Sequence, residues 1–196
     1  MHKDGSIEIS QKAYARKILQ HFGFEGSGIN NFAITYHATG TRRVLKCYSD
    51  ADFGACTKTG RSPSGSVIVY TGGAISWHSQ RQAIVATSTT EAEVAEASEA
   101  VKEVLWLTRL YQGIVNLKEV PTLQVDNQAA VKLAHNPEYH RRTKHIEIKH
   151  FFIREKVMEG KLHVEQVSTK RQLADIMTNP LTKPQLLILC QHIGLM

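Results

Sequence analysis

The chain has 196 residues, 42% of them hydrophobic, which is enough to build the core of one domain without disulfide or metal staples. Its 24 lysines and arginines exceed its 18 aspartates and glutamates, so nucleic acid is the leading candidate partner and an ordinary solvated basic surface is the alternative. Three unpaired cysteines, a charged amino terminus and the lack of a long apolar run predict a reduced intracellular protein, cytoplasmic or nuclear, that is neither secreted nor membrane-bound.

The amino-terminal part is predicted to be a separate unit. Residues 7–24 begin with a strand-like fragment and continue as a helix with Ile18, Leu19 and Phe22 on one face. Residues 25–43 are rich in Gly, Asn, Ser and Thr, which is typical of a linker. We therefore expect a boundary near residue 43, with residues 1–43 as an appendage and residues 44–196 as the main domain.

Residues 44–53, VLKCYSDADF, predict a strand that ends at a carboxylate, Asp50. Residues 58–66 have the composition of a loop, and two further strands are predicted over residues 67–70 and 74–79. Their close spacing predicts an antiparallel meander. A single aspartate at the end of a strand is more often a surface residue than a site, so further carboxylates are needed to support a functional reading.

A long helix is predicted to follow, over residues 88–112, with apolar residues at helical spacing. Ser88 with Glu91, or Thr90 with Glu93, has the spacing of a capping box. Capping is therefore the structural alternative to a catalytic role for Glu91.

The remaining elements predict a parallel pair of strands joined by helices. Residues 122–126 form a strand ending at Asp126, and Asn127 is placed to cap a helix over residues 128–135. A basic helix ending at Gly160 then leads to a last strand, and such a crossover is right-handed. A short helix carries Asp175, and a final amphipathic helix covers residues 184–195.

Four histidines at intervals of five residues suggest zinc at first sight: His135, His140, His145 and His150. A step of five residues turns a helix by about 140°, so these side chains do not share a face, and we reject zinc. The neighbouring cations Arg141, Arg142 and Lys144 are either a solvated helix face or phosphate contacts.

Seven segments, in this order and spacing, resemble the ribonuclease H domain of copia-type LTR retrotransposon Pol polyproteins: YSDADFG, TGRSPSG, ISWHSQRQ, STTEAEVAEASEAVKEVLWL, DNQAA, RRTKHIEIKHFFIRE and QLADIMTNPL. The resemblance covers residue 44 to the end of the chain. The upstream segment ISQKAYARKILQHFGF looks like the end of the family's reverse transcriptase. The resemblance implies an α/β ribonuclease H-like fold with a five-stranded mixed sheet, three strands antiparallel and two parallel, flanked by helices.

The resemblance also implies the chemistry. Its acidic cluster corresponds here to Asp50, Glu91, Asp126 and Asp175, which would bind two Mg²⁺ ions, with Mn²⁺ able to substitute, and hydrolyse the RNA strand of an RNA:DNA hybrid. The residues expected to contact the hybrid are Gln80, Ser88, Thr89, Asn127, Arg141, Arg142 and Lys144. The rest of a retroelement polyprotein is a further expected partner.

The sequence departs from this family in four respects, the first of which is a shortened segment between the polymerase remnant and the nuclease. The polymerase palm is absent, Asn179 stands where the family usually has Lys, and the turn before Asp175 lacks the His of many related enzymes. Two functions therefore stay open. The first is a metal-dependent endoribonuclease acting on RNA:DNA hybrids. The second is a catalytically inactive or domesticated nucleic-acid-binding remnant with the same fold.

Overall fold

The computed structural model describes residues 5–22, 32–37, 43–135 and 144–196. The main sheet has five strands, in the order β5, β4, β3, β6, β7, and a second sheet pairs β1 with β2. The strands are β1 (Ile7–Ile9), β2 (Ile34–Tyr36), β3 (Lys46–Ala51), β4 (Pro63–Tyr70), β5 (Gly73–Arg81), β6 (Thr122–Val125) and β7 (His163–Gln166). The helices are α1 (Lys12–Phe22), α2 (Thr89–Val115), α3 (Gln128–His135), α4 (Lys144–Met158), α5 (Asp175–Thr178) and α6 (Lys183–His192).

The five-stranded sheet is mixed, as predicted. Strands β3, β4 and β5 pair antiparallel, whereas β6 and β7 are added in parallel on the other side of β3. One detail of the prediction was wrong, because residues 63–66 belong to β4 and not to a loop. Residues 64–66 are small and buried between β3 and β5, so pairing on both sides determines their conformation rather than their turn-like composition.

One face of the sheet is covered by α2, α3 and α4. Ser88 caps α2 by accepting a hydrogen bond from the backbone N–H of Glu91, and Asn116 ends the helix with a left-handed conformation, φ 52°. The residues of this helix that pack on the sheet are small and apolar, which lets it lie close across β3; they are Val94, Ala97, Ala100, Val101 and Val104. This layer contains the larger core.

The opposite face is covered by the carboxyl-terminal elements. A smaller core joins Val67 and Val69 of β4 to Leu173, Leu189 and Ile193. The chain reaches this face from β7 through a 3₁₀ turn, Thr169–Arg171, and the short helix α5. The fold therefore brings α5 against the strand that carries Asp50.

Residues 32–37 contact the main domain. Ala33 and Met196 exchange two backbone hydrogen bonds, and the N–H of Thr35 donates to the carbonyl of Gly194. The hydroxyl of Tyr36 donates to the carbonyl of Ala74 at 2.6 Å. The boundary near residue 43 stays a prediction, but these bonds cross it. The predicted helix is α1, although the side chains of Ile18, Leu19 and Phe22 lie outside the described part of the chain.

Within the ranges described, none of the helices combines the length and apolar character needed to cross a membrane. Cys47, Cys56 and Cys190 are all free thiols.

Candidate metal centre

Three carboxylates from three separate elements meet at one edge of the sheet. Asp50, Glu93 and Asp126 each offer an oxygen, and these three oxygens lie within 4.8 Å of one another. Such a group of hard oxygen donors suits Mg²⁺ or Mn²⁺ better than zinc.

Strand register explains why two of these carboxylates coincide. In the parallel pair of β3 and β6, Tyr48 lies opposite Gln124. Two residues further along the chain are Asp50, within β3, and Asp126, the residue that directly follows β6. Because the strands are parallel, their carboxyl ends meet at the same edge, which is where ligands bind in α/β folds.

The structure brings Glu93, and not the predicted Glu91, to this group. The carboxylate of Glu91 instead accepts hydrogen bonds from the backbone N–H and the hydroxyl of Thr87, both at 2.6 Å. Two residues along a helix correspond to a rotation of about 200°, so the two side chains point to nearly opposite sides of α2. The capping alternative therefore describes Glu91, and Glu93 takes its place in the carboxylate group.

The carboxylates are buried and crowded. Asp50 and Glu93 are each 6% exposed. Burial, together with the neighbouring charges of Asp50 and Asp126, raises the pKa of Glu93 to about 9. Burial also raises the pKa of Asp50, although a hydrogen bond from Thr178 opposes this shift. Among the described atoms, Oε2 of Glu93 is buried without a hydrogen-bond partner. A bound cation would neutralise the negative charge of these carboxylates and coordinate the unpartnered Oε2 of Glu93, so the residues fit a divalent metal ion.

Asp175, the first residue of α5, is a fourth acidic residue that the charges of this group affect. Its burial and the charges of Asp50 and Asp126 raise its pKa to about 7, while a hydrogen bond from Asn179 opposes the shift. Of the four acidic residues predicted from the resemblance, Asp50 and Asp126 are brought into the carboxylate group, and Asp175 is near enough for their charges to raise its pKa.

Three polar side chains that the sequence analysis did not assign to the site hold the two aspartates. The hydroxyl of Thr178 and the amide Nδ2 of Asn179 both donate to Oδ2 of Asp50, the second at 3.3 Å. The hydroxyl of Thr169 donates to Oδ2 of Asp126 at 3.2 Å. These donors follow the aspartates by 128, 129 and 43 residues, so no local sequence pattern could have revealed the pairing.

The predicted hybrid contacts are placed unevenly. Ser88 and Asn127 serve as caps, since Asn127 Oδ1 accepts hydrogen bonds from the N–H groups of Ala129 and Ala130. Gln80 and Thr89 are exposed. Arg141 and Arg142 lie outside the described residues, and for Lys144 only the backbone is described.

The two histidines of the predicted series whose side chains the structure describes, His135 and His150, do not form a metal-binding group. A ring nitrogen of His135 forms a hydrogen bond with the carbonyl of Val164 at 3.0 Å, and a ring nitrogen of His150 forms one with the carbonyl of Leu133. These contacts hold α3 and α4 in the larger core layer. His140 and the side chain of His145 lie outside the described residues.

The sequence comparisons match transposon polyproteins. The chain is 40% identical over 139 residues to the retrovirus-related Pol polyprotein of transposon TNT 1-94 from Nicotiana tabacum, covering 71% of this chain and 10% of that protein. It is 37% identical over 145 residues to the Pol polyprotein of transposon RE2 from Arabidopsis thaliana, covering 74% of this chain and 10% of that protein. The chain is a homologue of transposon Pol polyproteins. It spans about a tenth of the length of these curated relatives. No protein-family model matches it.

Solved structures identify the fold of this Pol homologue. The amino-terminal ribonuclease H domain of a Mycobacterium tuberculosis protein aligns with a TM-score of 0.52 and 12% identity, covering 76% of this chain and 98% of that one. LC11 ribonuclease H1, solved in complex with an RNA/DNA hybrid, also aligns with a TM-score of 0.52, at 19% identity over 68% of this chain and 93% of that one. The predicted ribonuclease H-like fold is confirmed.

Proposed function

We propose that this chain is a metal-dependent endoribonuclease that hydrolyses the RNA strand of RNA:DNA hybrids, as one segment of a retroelement Pol polyprotein. The observation that carries the proposal is the convergence of Asp50, Glu93 and Asp126 at the carboxyl ends of two parallel strands. The homology to Pol polyproteins and the hybrid bound by LC11 ribonuclease H1 support the choice of substrate.

In this proposal Asp50, Glu93 and Asp126 hold two Mg²⁺ or Mn²⁺ ions, with Asp175 completing the site from α5. When bound, the ions supply the activation of water and the neutralisation of phosphate charge that phosphodiester hydrolysis needs. Because Asp50 and Glu93 are buried, water is excluded from the side of the carboxylate group that faces the protein interior. The carboxyl group of Asp175, with its pKa about 7, exchanges its proton near neutral pH while no cation is bound.

The chain's other polar groups would select the hybrid. Ser88 Oγ accepts a hydrogen bond within the cap of α2, which leaves its O–H proton to donate to a ribose 2′-hydroxyl. Asn127 uses its Oδ1 as a cap, and its Nδ2 would be the donor to the hybrid. Gln80 and Thr89 add exposed donors, and Arg141, Arg142 and Lys144 would provide phosphate contacts.

The test is single-turnover cleavage of an end-labelled RNA:DNA hybrid by the chain in Mg²⁺, in Mn²⁺ and in excess chelator. We expect cleavage of the RNA strand in either metal, none in chelator, and intact duplex DNA throughout. Asp126→Asn preserves the side chain's size but removes a charge from the site, so cleavage should fall by about 100-fold or more while hybrid binding persists.

Unchanged hybrid at excess protein in both metals, with the chain folded and binding the hybrid, would refute the nuclease and favour the inactive binding module. Cleavage by Asp126→Asn within a few-fold of the parent would show that this carboxylate group is not the active site.

A further inference from the structure

The short helix α5 is fastened to the strands around Asp50 at both of its ends. Before it, the fully buried amide of Gln172 donates to the carbonyl of Ser49 at 2.9 Å and accepts from the N–H of Ala174. Near its end, the hydroxyl of Ser79 in β5 donates to the carbonyl of Met177 at 2.6 Å. The segment is therefore held in one position relative to β3.

A glycine allows this close approach. Gly65 of β4 lies directly opposite Asp50 in the antiparallel pair. A Cβ atom at this position would lie 2.5 Å from Cβ of Met177 and 2.8 Å from the carbonyl oxygen of His78. Because Gly65 has no side chain, α5 packs directly on the sheet beside Asp50.

The end of α5 points two donors at a single oxygen. Thr178 and Asn179 both donate to Oδ2 of Asp50, and Asn179 Nδ2 also donates to the hydroxyl of Thr178 at 3.1 Å. The terminal torsion of an aspartate has a broad energy minimum, so packing alone does not determine how its two oxygens are oriented. Two converging donors on Oδ2 do determine it.

We propose that Thr178 and Asn179 are positioning residues that set the orientation of the Asp50 carboxylate for a divalent cation. The inference rests on the proposed function in one respect, that the carboxylate group binds such a cation. Hydrogen-bond partners of metal ligands typically contribute 10- to 100-fold to metal affinity. Loss of the Thr178 hydroxyl should therefore weaken cation binding without removing a ligand.

The test is direct titration of Mn²⁺, followed by its electron paramagnetic resonance signal, on folded variants of the whole chain. Thr178→Val keeps the side chain's shape and removes the donor, so its Mn²⁺ affinity should fall about 10-fold. Thr178→Ser restores the hydroxyl and should bind within about 3-fold of the parent. The matched control is Thr182→Val, because the hydroxyl of Thr182 donates to Gln185 on the surface and should not affect binding.

Parent-like Mn²⁺ affinity in folded Thr178→Val would overturn the inference. Equal losses in the Val and Ser variants would also overturn it, since they would indicate a packing effect. If Thr178→Val does not fold, Thr178→Ala decides: a fall in affinity of several-fold that Thr178→Ser does not share supports the inference, and parent-like binding overturns it. Weakened Mn²⁺ binding in a chain that never cleaves hybrids would preserve the positioning role and refute the nuclease. Hybrid cleavage by the parent, combined with parent-like Mn²⁺ binding in Thr178→Val, would refute the positioning role and preserve the nuclease.

Discussion

Replacing Glu93 with Gln should stabilise the metal-free protein at alkaline pH and at the same time weaken cation binding. Both effects follow from the position of this carboxylate, which is buried beside Asp50 and Asp126 with one oxygen unpartnered among the described atoms. Without a cation, the fold must either retain a proton on Glu93 or bury its charge. Gln has nearly the same shape and no charge, so this cost disappears.

The magnitude follows from the pKa of Glu93, which burial and its neighbours raise from 4.5 to about 9. A group with a raised pKa contributes stability that is fully present below its unfolded pKa, here about 4.5, and is lost as pH rises towards about 9. At 1.36 kcal/mol per unit, the loss at pH 8 amounts to about 5 kcal/mol. The Gln amide must bury unsatisfied N–H groups, which cancels part of the gain and leaves about 2 kcal/mol. For a chain of this size that corresponds to a rise of about 5 °C in Tm.

The assay is thermal unfolding followed by circular dichroism, in chelator at pH 5 and pH 8 and again with Mn²⁺ at pH 8. We expect Glu93→Gln to exceed the parent's Tm in chelator at pH 8, to fall below it by a similar amount at pH 5, and to gain little from Mn²⁺. At pH 5 the parent retains the proton on Glu93 at little cost, whereas the buried Gln amide keeps its own cost at every pH. The matched control is Glu91→Gln, two residues away on the same helix. That variant weakens the contact with Thr87 and should lose about 0.5–1 kcal/mol, with the parent's response to pH and to Mn²⁺.

The reasoning is refuted if the two variants exchange behaviour, so that Glu91→Gln loses the response to Mn²⁺ and Glu93→Gln retains it. It is also refuted if Glu93→Gln retains the parent's fall in Tm between pH 5 and pH 8, because another group would then be responsible for that fall.

Two further predictions concern the packing at Gly65 and the hydrogen bonds made by residues 32–37. Gly65→Ala should destabilise the protein by about 1–3 kcal/mol and weaken Mn²⁺ binding, because the added methyl group meets Met177. The control is Gly113→Ala, which has open space at its Cβ and should do neither. Equal thermal melts and Mn²⁺ titrations for the two variants would contradict the prediction. Removing residues 1–31 deletes the pairing of β1 with β2 but leaves the hydrogen bonds of Ala33, Thr35 and Tyr36 to the main domain. Removing residues 1–37 should therefore lower the unfolding free energy further, by about 1 kcal/mol for each of these bonds. Equal unfolding free energies in urea for the two truncations would show that these contacts do not stabilise the domain.

The two strand-end aspartates were predictable because local patterns carry the information. Asp50 and Asp126 each follow a short run of strand-forming residues. A helical connection implies a parallel pair only for β6 and β7, whereas the parallel pairing of β3 with β6, which brings the two aspartates to one edge, follows from the family resemblance. The antiparallel meander, the parallel pair of β6 and β7 and the strand-end position of both aspartates could therefore be inferred from local patterns, and the single five-stranded sheet with its acidic cluster from the resemblance.

The choice between Glu91 and Glu93 was not predictable in this way. Both residues satisfy a capping-box spacing, with Ser88 and with Thr90 respectively, and both lie in the first turns of α2. Which carboxylate faces Asp50 depends on how α2 is rotated about its axis when it packs across β3. Small apolar residues along the whole helix set that rotation, and a motif of four residues does not contain it.

The hydrogen-bond donors to Asp50 were even less predictable from a sequence pattern. Side-chain periodicity determines local conformation, because it depends on residues a few positions apart. The meeting of Thr178 and Asn179 with Asp50 depends instead on the crossover from β7, on the anchoring of Gln172 and on the space left at Gly65. These contacts join segments more than a hundred residues apart, and they exist only because the packed sheet and α5 bring the groups within hydrogen-bonding distance.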